Sequence, residues 1–332
     1  MKIGTKRIGF GNQTYVIAEA GINHNGDIEI AKKMIVEAAK CGANAIKFQS
    51  FSAEELFSKQ LNPELFEFAK NLSLNLNQHK ELKRFSEKNN IDFISTATGI
   101  KSLNLLKNLR VKCIKIASMD LNNHELLRHA AKSKIPLIVS TGMSNMSEIV
   151  ASTEILNQEN VDYCLLHCIS SYPTSIKNAN LKTIPHFYNL FSIPIGYSDH
   201  TLDIDACLTS VALGACVIEK HFTLDKNMPG PDQKLSADSS ELKTLIKKIR
   251  IIEKMLGTPR KNVLFSEQKF RNLMHRSIGV TKDLKSGTVI TKSMVALYRP
   301  GTGISPNYMD VIVGRKISKS VKNGSLLDWN MF

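Results

Sequence analysis

No apolar stretch of this 332-residue chain approaches the roughly 18 to 20 residues of a membrane span, which argues against an integral membrane protein. The opening "MKIGTKRIGFGNQ" lacks the continuous apolar core of a signal peptide, so the expectation is a cytoplasmic protein. The six cysteines, Cys41, Cys113, Cys164, Cys168, Cys207 and Cys216, include no CxxC pair. Several lie inside apolar runs, which reads as buried reduced thiols. No GxGxxG follows the first apolar run, which weakens a dinucleotide-binding fold. No basic stretch is interleaved with aromatics, so the net charge of +14 is read as a solvated lysine surface rather than a nucleic-acid interface. That charge is unevenly spread. Residues 259–332 hold 13 Lys and Arg against 4 Asp and Glu, so the C-terminal region carries most of the excess and would suit a place near an anionic ligand.

What is present is a repeating unit. Hydrophobic residues make up 42% of the chain, enough for a sizeable core. From about residue 14 to 250, short apolar runs pass into a polar tip and then into a helical stretch. The runs are "TYVIAEAGINH", "AIKFQSF", "DFISTATG", "VKCIKIASMD", "PLIVSTGM", "YCLLHCISSYP", "IPIGYSDHT" and "VIEKHFTLD". Intervening segments such as "DIEIAKKMIVEAAKCG" carry helical periodicity. Strands alternating with helices imply a parallel sheet. Eight units in this length fit a (β/α)8 barrel better than a doubly wound open sheet. The spacing predicts a barrel over 1–258, a linker over 259–274 and a compact, mostly β module over 275–332.

In such a barrel the active site forms at the C-terminal ends of the strands. Each run ends in polar chemistry there: Glu19; Lys47 and Gln49; Ser95 and Thr96; Lys115, Ser118 and Asp120; Ser140 and Thr141; Ser170 and Tyr172; Ser198, Asp199 and His200; Glu219, Lys220 and His221. Strand alternation places Lys47 with Gln49, Ser118 with Asp120, Ser170 with Tyr172 and Ser198 with His200. Lysines inside apolar runs need an anionic partner. Lys47 and Lys115, with hydroxyls from several strands, point to a phosphate or carboxylate cradle. One histidine near a strand end is ordinarily a core residue. Two at the ends of successive runs, His200 and His221, can approach one cation while leaving positions open. Glu19, Asp199 and Asp232 are the carboxylates that could complete its shell.

The set "IAEAGINHNGD", "IKFQSF", "IKIASMD", "IVSTGMS", "LLHCISSYPT", "GYSDHT", "VIEKHFTLD" and "GPD" resembles the sialic acid synthase family along nearly the whole chain. The C-terminal "RSIGVTKDLKSGTVIT" and "RPGTGI" resemble that family's antifreeze-like (SAF) domain. The resemblance implies a (β/α)8 barrel followed by that small domain, in a domain-swapped homodimer. It implies condensation of phosphoenolpyruvate with an N-acetylated hexose to a nine-carbon keto acid, with release of phosphate. It places Lys47, Thr96, Lys115, Ser118, Ser140 and Ser198 on phosphoenolpyruvate, and Glu19 on water, so that Glu19, Lys47 and Lys115 are the catalytic set. It places Gln49, Tyr172 and Asp232 on the sugar, and Arg299 on the sugar's acyl group in the partner's site. It makes His200 and His221 ligands of a divalent metal, usually Mn2+, with Mg2+ or Co2+ as alternatives.

Two positions depart from the sialic acid synthase pattern. Asp120 stands where that pattern has glutamate, and Ser170 where it has asparagine; both positions face the sugar in the family. These changes alter the pocket's reach and hydrogen bonding, so 2,4-diacetamido-2,4,6-trideoxymannose competes with N-acetylmannosamine as the substrate. The alternatives are another phosphoenolpyruvate–aldose synthase of octulosonate type and a non-catalytic polyanion-binding protein.

Overall fold

The structure is a computed structural model and describes residues 1–332. The chain divides into two compact units, Met1–Gly257 and Thr258–Phe332. The first opens with a short antiparallel hairpin, β1 (Lys2–Ile3) and β2 (Lys6–Arg7). Then follow β3 (Tyr15–Gly21), α1 (Ile28–Cys41), β4 (Ala45–Ser50), α2 (Ala53–Leu56), α3 (Pro63–Leu72), α4 (Leu76–Lys88), β5 (Asp92–Ala97) and α5 (Ile100–Asn108). The second half runs β6 (Ile114–Ile116), α6 (His124–Lys132), β7 (Leu137–Ser140), α7 (Met146–Gln158), β8 (Tyr163–Cys168), α8 (Thr183–Phe191), β9 (Ile195–Asp199), α9 (Asp205–Ala212), β10 (Val217–His221) and α10 (Ser239–Leu256). Strands β3 to β10 pair in parallel and close into a barrel of eight, with β10 returning to β3. This is the expected (β/α)8 architecture.

Local chemistry sets the helix ends. Asp27 caps α1 by accepting from the amides of Glu29 and Ile30, and Gly42 ends it at φ 88°, a left-handed turn that glycine adopts without strain. Reciprocal capping boxes open α4 (Asn75, Gln78), α7 (Asn145, Glu148) and α10 (Asp238, Glu241). Strand alternation then sorts the side chains. One phase, including Val16, Ala18, Ile46, Phe93, Ile116, Val139 and Leu165, packs outward against the helices. The other phase fills the barrel axis with Ile17, Ala45, Ile94, Cys113, Ile138, Leu166 and Val217. Ile3 and Ile8 of the hairpin join this inner cluster from below. All six cysteines are buried and unpaired.

The second unit has its own core, built on Ile278, Val280, Leu284, Ile290, Ile304, Ile312, Ile317 and Leu327. Its one two-stranded sheet pairs Ser277–Val280 with Val295–Tyr298, and isolated bridges such as Leu284 to Val321 tie the turns together. Residues 259–274, expected as a linker, contain a helix at Phe265–Met274. Lys261 and Glu267 lie 3.8 Å apart and the Leu264 amide donates to the Glu267 carboxylate, so local pairing supports that helix. No helix in the chain is long and apolar enough to cross a membrane.

Asp92 anchors the lower end of the barrel. It accepts from Lys112 at 2.6 Å, Lys6 at 2.8 Å and the Tyr15 hydroxyl at 2.9 Å. Burial opposes its ionisation, but Lys112 and Lys6 outweigh burial and hold its carboxyl below the ordinary value of 3.8. A depressed carboxylate pKa adds stability above that ordinary value, and the contribution disappears as pH falls through the depressed one. Both lysines are part-exposed, which limits the magnitude. Asp92→Asn should therefore lower unfolding stability by about 1–2 kcal/mol at pH 7. In urea titrations the difference from wild type should close as pH falls below 3.8.

Candidate active site

The inner side chain two residues beyond the apolar axial layer is polar or a thiol on every strand. From β3 round to β10 these are Glu19, Lys47, Thr96, Lys115, Ser140, Cys168, Ser198 and Glu219, all buried. They floor a cavity of about 360 Å3 that Gln49, Thr98, Ser118, Ser170, Tyr172, His200, His221 and Asp232 also line.

Four charges form the floor. Lys47 Nζ lies 2.8 Å from Glu19 Oε2 and 3.7 Å from Glu219 Oε1, and donates to Thr96 Oγ1 at 3.0 Å. Lys115 Nζ lies 3.7 Å from Glu219 Oε1 and donates to Ser140 Oγ at 2.7 Å. Ser198 Oγ donates to Glu219 Oε1 at 3.3 Å, and Gln49 Nε2 to Glu19 Oε1 at 3.3 Å. Burial lowers the pKa of both lysines. For Lys47 the two glutamates overcome it and raise the ammonium pKa; for Lys115 burial prevails and the pKa falls. Burial raises the Glu19 carboxyl to about 7 against the pull of Lys47. Glu219 is held below its ordinary value because Lys115 and Lys47 outweigh its burial. Two cations and two carboxylates nearly cancel, so an anionic ligand would bind best with an added proton or cation.

The histidines stand above this floor with ring centroids 5.4 Å apart. His200 Nδ1 lies 2.7 Å from the Ile169 carbonyl, which selects the tautomer with a bare Nε2. Tyr172 packs on His200 at 4.1 Å between ring centroids. His221 Nδ1 is buried without a hydrogen-bond partner and lies 3.8 Å from Asp232 Oδ2. Burial and the nearby His200 and lysines keep His221 neutral, the form that ligates metals. The donor set therefore fits a divalent cation held by two imidazoles. No group of three His, Cys, Asp or Glu side chains converges for one, so water or substrate would supply the remaining positions.

Three expectations change. Asp120 does not line the cavity. Strand β6 ends at Ile116, and Ser118–Asp120 forms a 3-10 turn that breaks the alternation expected to pair Ser118 with Asp120. Its buried Oδ2 has no partner, and burial with nearby Glu55 raises its carboxyl to about 6. Asp199 is not available to a cation beside His200, since it points away from the axis and pairs with Lys220 at 2.7 Å. Glu19 is committed to Lys47 in the same way. Arg299 lies in the second unit, where its Nε donates to the Met274 carbonyl at 2.8 Å.

Glu219 is the main residue that sequence reasoning passed over as a site member. Its signal was available: a glutamate in the apolar run "VIEKH", in phase with His221. Gly142 is another. A Cβ there would collide with Ser170 Oγ and sit 2.8 Å from Ser118 Oγ, so any larger residue would displace the two hydroxyls from the cavity wall.

The NeuB family model matches residues 34–261, and the SAF domain model matches 275–332. This chain belongs to the NeuB family. The match covers more than half of the chain and includes seven of the eight barrel strands, β4 to β10. The chain is 45% identical to an uncharacterised protein of Methanocaldococcus jannaschii, over 99% of this chain and 98% of that one. It is 40% identical to the N,N'-diacetyllegionaminic acid synthase of Legionella pneumophila, over 98% and 96% of the two chains. It is similar, at TM-score 0.79 and 40% identity, to the crystal structure of N-acetylneuraminic acid synthetase from Leptospira borgpetersenii in complex with citrate, over 82% of this chain and 96% of that one. Like these synthases, the NeuB-family chain is an enzyme.

The floor charges are interdependent, because removing one buried ion strands its partner. Lys47→Met should destabilise the NeuB-family barrel by about 3–5 kcal/mol in urea unfolding. Lys47→Met combined with Glu19→Gln should recover a large part of that loss, and the double-mutant cycle reads the coupling directly.

Proposed function

We propose that this enzyme condenses phosphoenolpyruvate with an N-acetylated hexose to a nine-carbon α-keto acid of sialic-acid type, and that the hexose is 2,4-diacetamido-2,4,6-trideoxymannose. The reaction class rests on one observation above all: two buried lysines ringed by strand-end hydroxyls beneath a pair of ligand-competent histidines. The finer choice of sugar draws on the likeness to the L. pneumophila synthase. It also draws on the cavity mouth, where Met119, Met143 and Tyr172 expose apolar surface beside Ser170. A 6-deoxy carbon and an extra acetamido methyl would find apolar contact there.

Lys47 and Lys115, with Thr96, Ser118, Ser140 and Ser198, hold the phosphate and carboxylate of phosphoenolpyruvate. In an enclosed site these fixed cations offset anionic charge without reorganisation. Gln49, Tyr172 and Asp232 orient the sugar. His200 and His221 would hold the divalent cation, Mn2+ in the first instance, which supplies Lewis-acid polarisation of the open-chain aldehyde. The C2=C3 π pair of phosphoenolpyruvate forms the new bond from C3 to the aldehyde carbon, and the C=O π pair of the aldehyde moves onto its oxygen. Glu19 takes a proton from water as that water adds to C2, and this proton passes to the former aldehyde oxygen, which becomes a hydroxyl. The new C2 hydroxyl then loses its proton as the C2=O bond forms and the C2–O bond to phosphate breaks; phosphate leaves with that bond's electron pair and takes up the proton. A carboxyl near pH 7 is matched to this proton transfer at neutral pH. In the same reading, Arg299 contacts the acyl group from the second copy of a homodimer.

The first experiment is phosphate release from phosphoenolpyruvate with Mn2+, comparing that trideoxy sugar with N-acetylmannosamine. Higher kcat/KM for the trideoxy sugar is expected. Preference for N-acetylmannosamine would move the reading to a sialic acid synthase, and release with neither sugar would remove both. His200→Ala should lower turnover by at least about 100-fold; full activity in that variant would remove the histidine-held cation. Glu19 is an ionised base only above its raised pKa, so kcat should fall as pH drops through about 7. Glu19→Gln should be slow and should lack that acid limb.

A further inference from the structure

One buried ion pair of the barrel takes no part in the cavity. Lys220 Nζ lies 2.7 Å from Asp199 Oδ2, and the side chains are 1% and 0% exposed. Each residue immediately precedes one of the two histidines. Because strand side chains alternate, histidines that look toward the cavity force their predecessors outward. Strands β9 and β10 pair Asp199 directly with Lys220, so the ion pair bridges the two histidine-bearing strand ends.

The pair also grips the chain on both sides of His200. Asp199 Oδ1 accepts from the Thr201 amide at 2.9 Å and from the Tyr197 hydroxyl at 3.2 Å. Asp199 Oδ2 accepts from Thr201 Oγ1 at 3.1 Å and from Cys207 Sγ, on α9, at 3.1 Å. Lys220 further donates to the Thr201 carbonyl and, at 3.0 Å, to the Asp203 carbonyl. The β9 end is thereby pinned to β10 and to α9. The His200 ring itself depends on the Ile169 carbonyl for its orientation, and that contact survives only while the backbone at 200 stays in place.

A buried ion pair rarely stabilises a fold more than apolar packing of the same volume, so stability alone does not account for this pair. We infer that Asp199 and Lys220 are positioning residues that fix the tautomer of His200 and the spacing of His200 and His221. Neither side chain touches a histidine ring; both act through the backbone, which they tie together at Thr201 and Asp203 and across β9 and β10. The inference rests on the reading of the histidines as a divalent-cation site, and one of its two readouts needs no cation.

The test uses the full chain and three variants. The double variant Asp199→Leu/Lys220→Met removes both charges and strands neither. Thr201→Val removes one hydroxyl, with its contacts to Asp199 Oδ2 and the Asp203 carbonyl, and keeps the ion pair. Lys220→Arg keeps the charge. Burial lowers the His200 pKa, but Cys168 and the Ile169 carbonyl outweigh burial and raise it, so the spectra are taken at a pH high enough for the ring to be neutral. Metal-free protein with 15N-labelled histidine should then show His200 of the wild type as a single tautomer protonated on Nδ1. In the double variant that signal should split between tautomers, while His79, remote from the pair, should be unchanged. Mn2+ affinity by calorimetry should weaken on the order of 10–100-fold in the double variant. Thr201→Val should move both readouts in the same direction to a smaller extent, and Lys220→Arg should restore the wild-type tautomer. A cooperatively folded double variant with the wild-type tautomer and wild-type Mn2+ affinity would overturn the inference. Should the double variant not fold, unchanged tautomer and affinity in Thr201→Val would do so. Absence of Mn2+ binding to the wild type would remove the cation site and leave the tautomer comparison to decide the positioning role.

Discussion

The upper barrel depends on one electrostatic constraint: ions taken out of water must be paired. Lys47 and Lys115 are almost wholly buried, and without Glu19 and Glu219 the cost of desolvating them would fall on the fold. The pairing is not tight everywhere. Lys47 meets Glu19 at 2.8 Å, while both lysines reach Glu219 only at 3.7 Å. The looser contacts leave the ammonium groups able to turn toward a ligand. The same balance pulls the two glutamates apart, one raised to about 7 and the other depressed, so one floor carries both a candidate base and a fixed anion.

A second consequence follows from the period of the strand. Each strand end presents two chemistries on opposite sides. On β9 and β10 the inward side carries Ser198, His200, Glu219 and His221, and the outward side carries Asp199 and Lys220. The inward residues can meet a ligand. The outward residues lock neighbouring elements and so set where the inward ones stand. Charged neighbours in "SDH" and "EKH" thus have unlike tasks, decided by which way each side chain leaves the sheet.

Much of this was legible beforehand. Eight apolar runs separated by helical stretches lead to a closed parallel barrel, because runs of that length with no dinucleotide fingerprint have few other parallel solutions. The runs marked strand positions well and strand ends less well. "VKCIKIASMD" was read as one strand, yet the strand is only Ile114–Ile116. Ser118 reaches the cavity from the turn that follows, and Asp120 does not, since a 3-10 turn advances side chains by a third of a revolution and not by half. The hairpin Lys2–Arg7 carried too little periodicity to be seen; its role comes from Ile3, Ile8 and Lys6 meeting the barrel's lower end. Glu219 was visible as a charge in an apolar run, but not as the partner of both lysines, because Lys47, Lys115 and Glu219 come from three strands far apart in the chain.

The sequence by itself determined the alternation of strands and helices, the family, and which residue types stand at each strand end. Short-range periodicity and the order of motifs carry that information, and both are local. Only the tertiary structure decided which carboxylate pairs with which lysine, which of two adjacent charged residues looks inward, and that Asp199 serves Lys220 and not a cation. Those outcomes depend on closing β10 against β3. Ring closure sets the register of eight strands at once, and no single stretch of chain contains it.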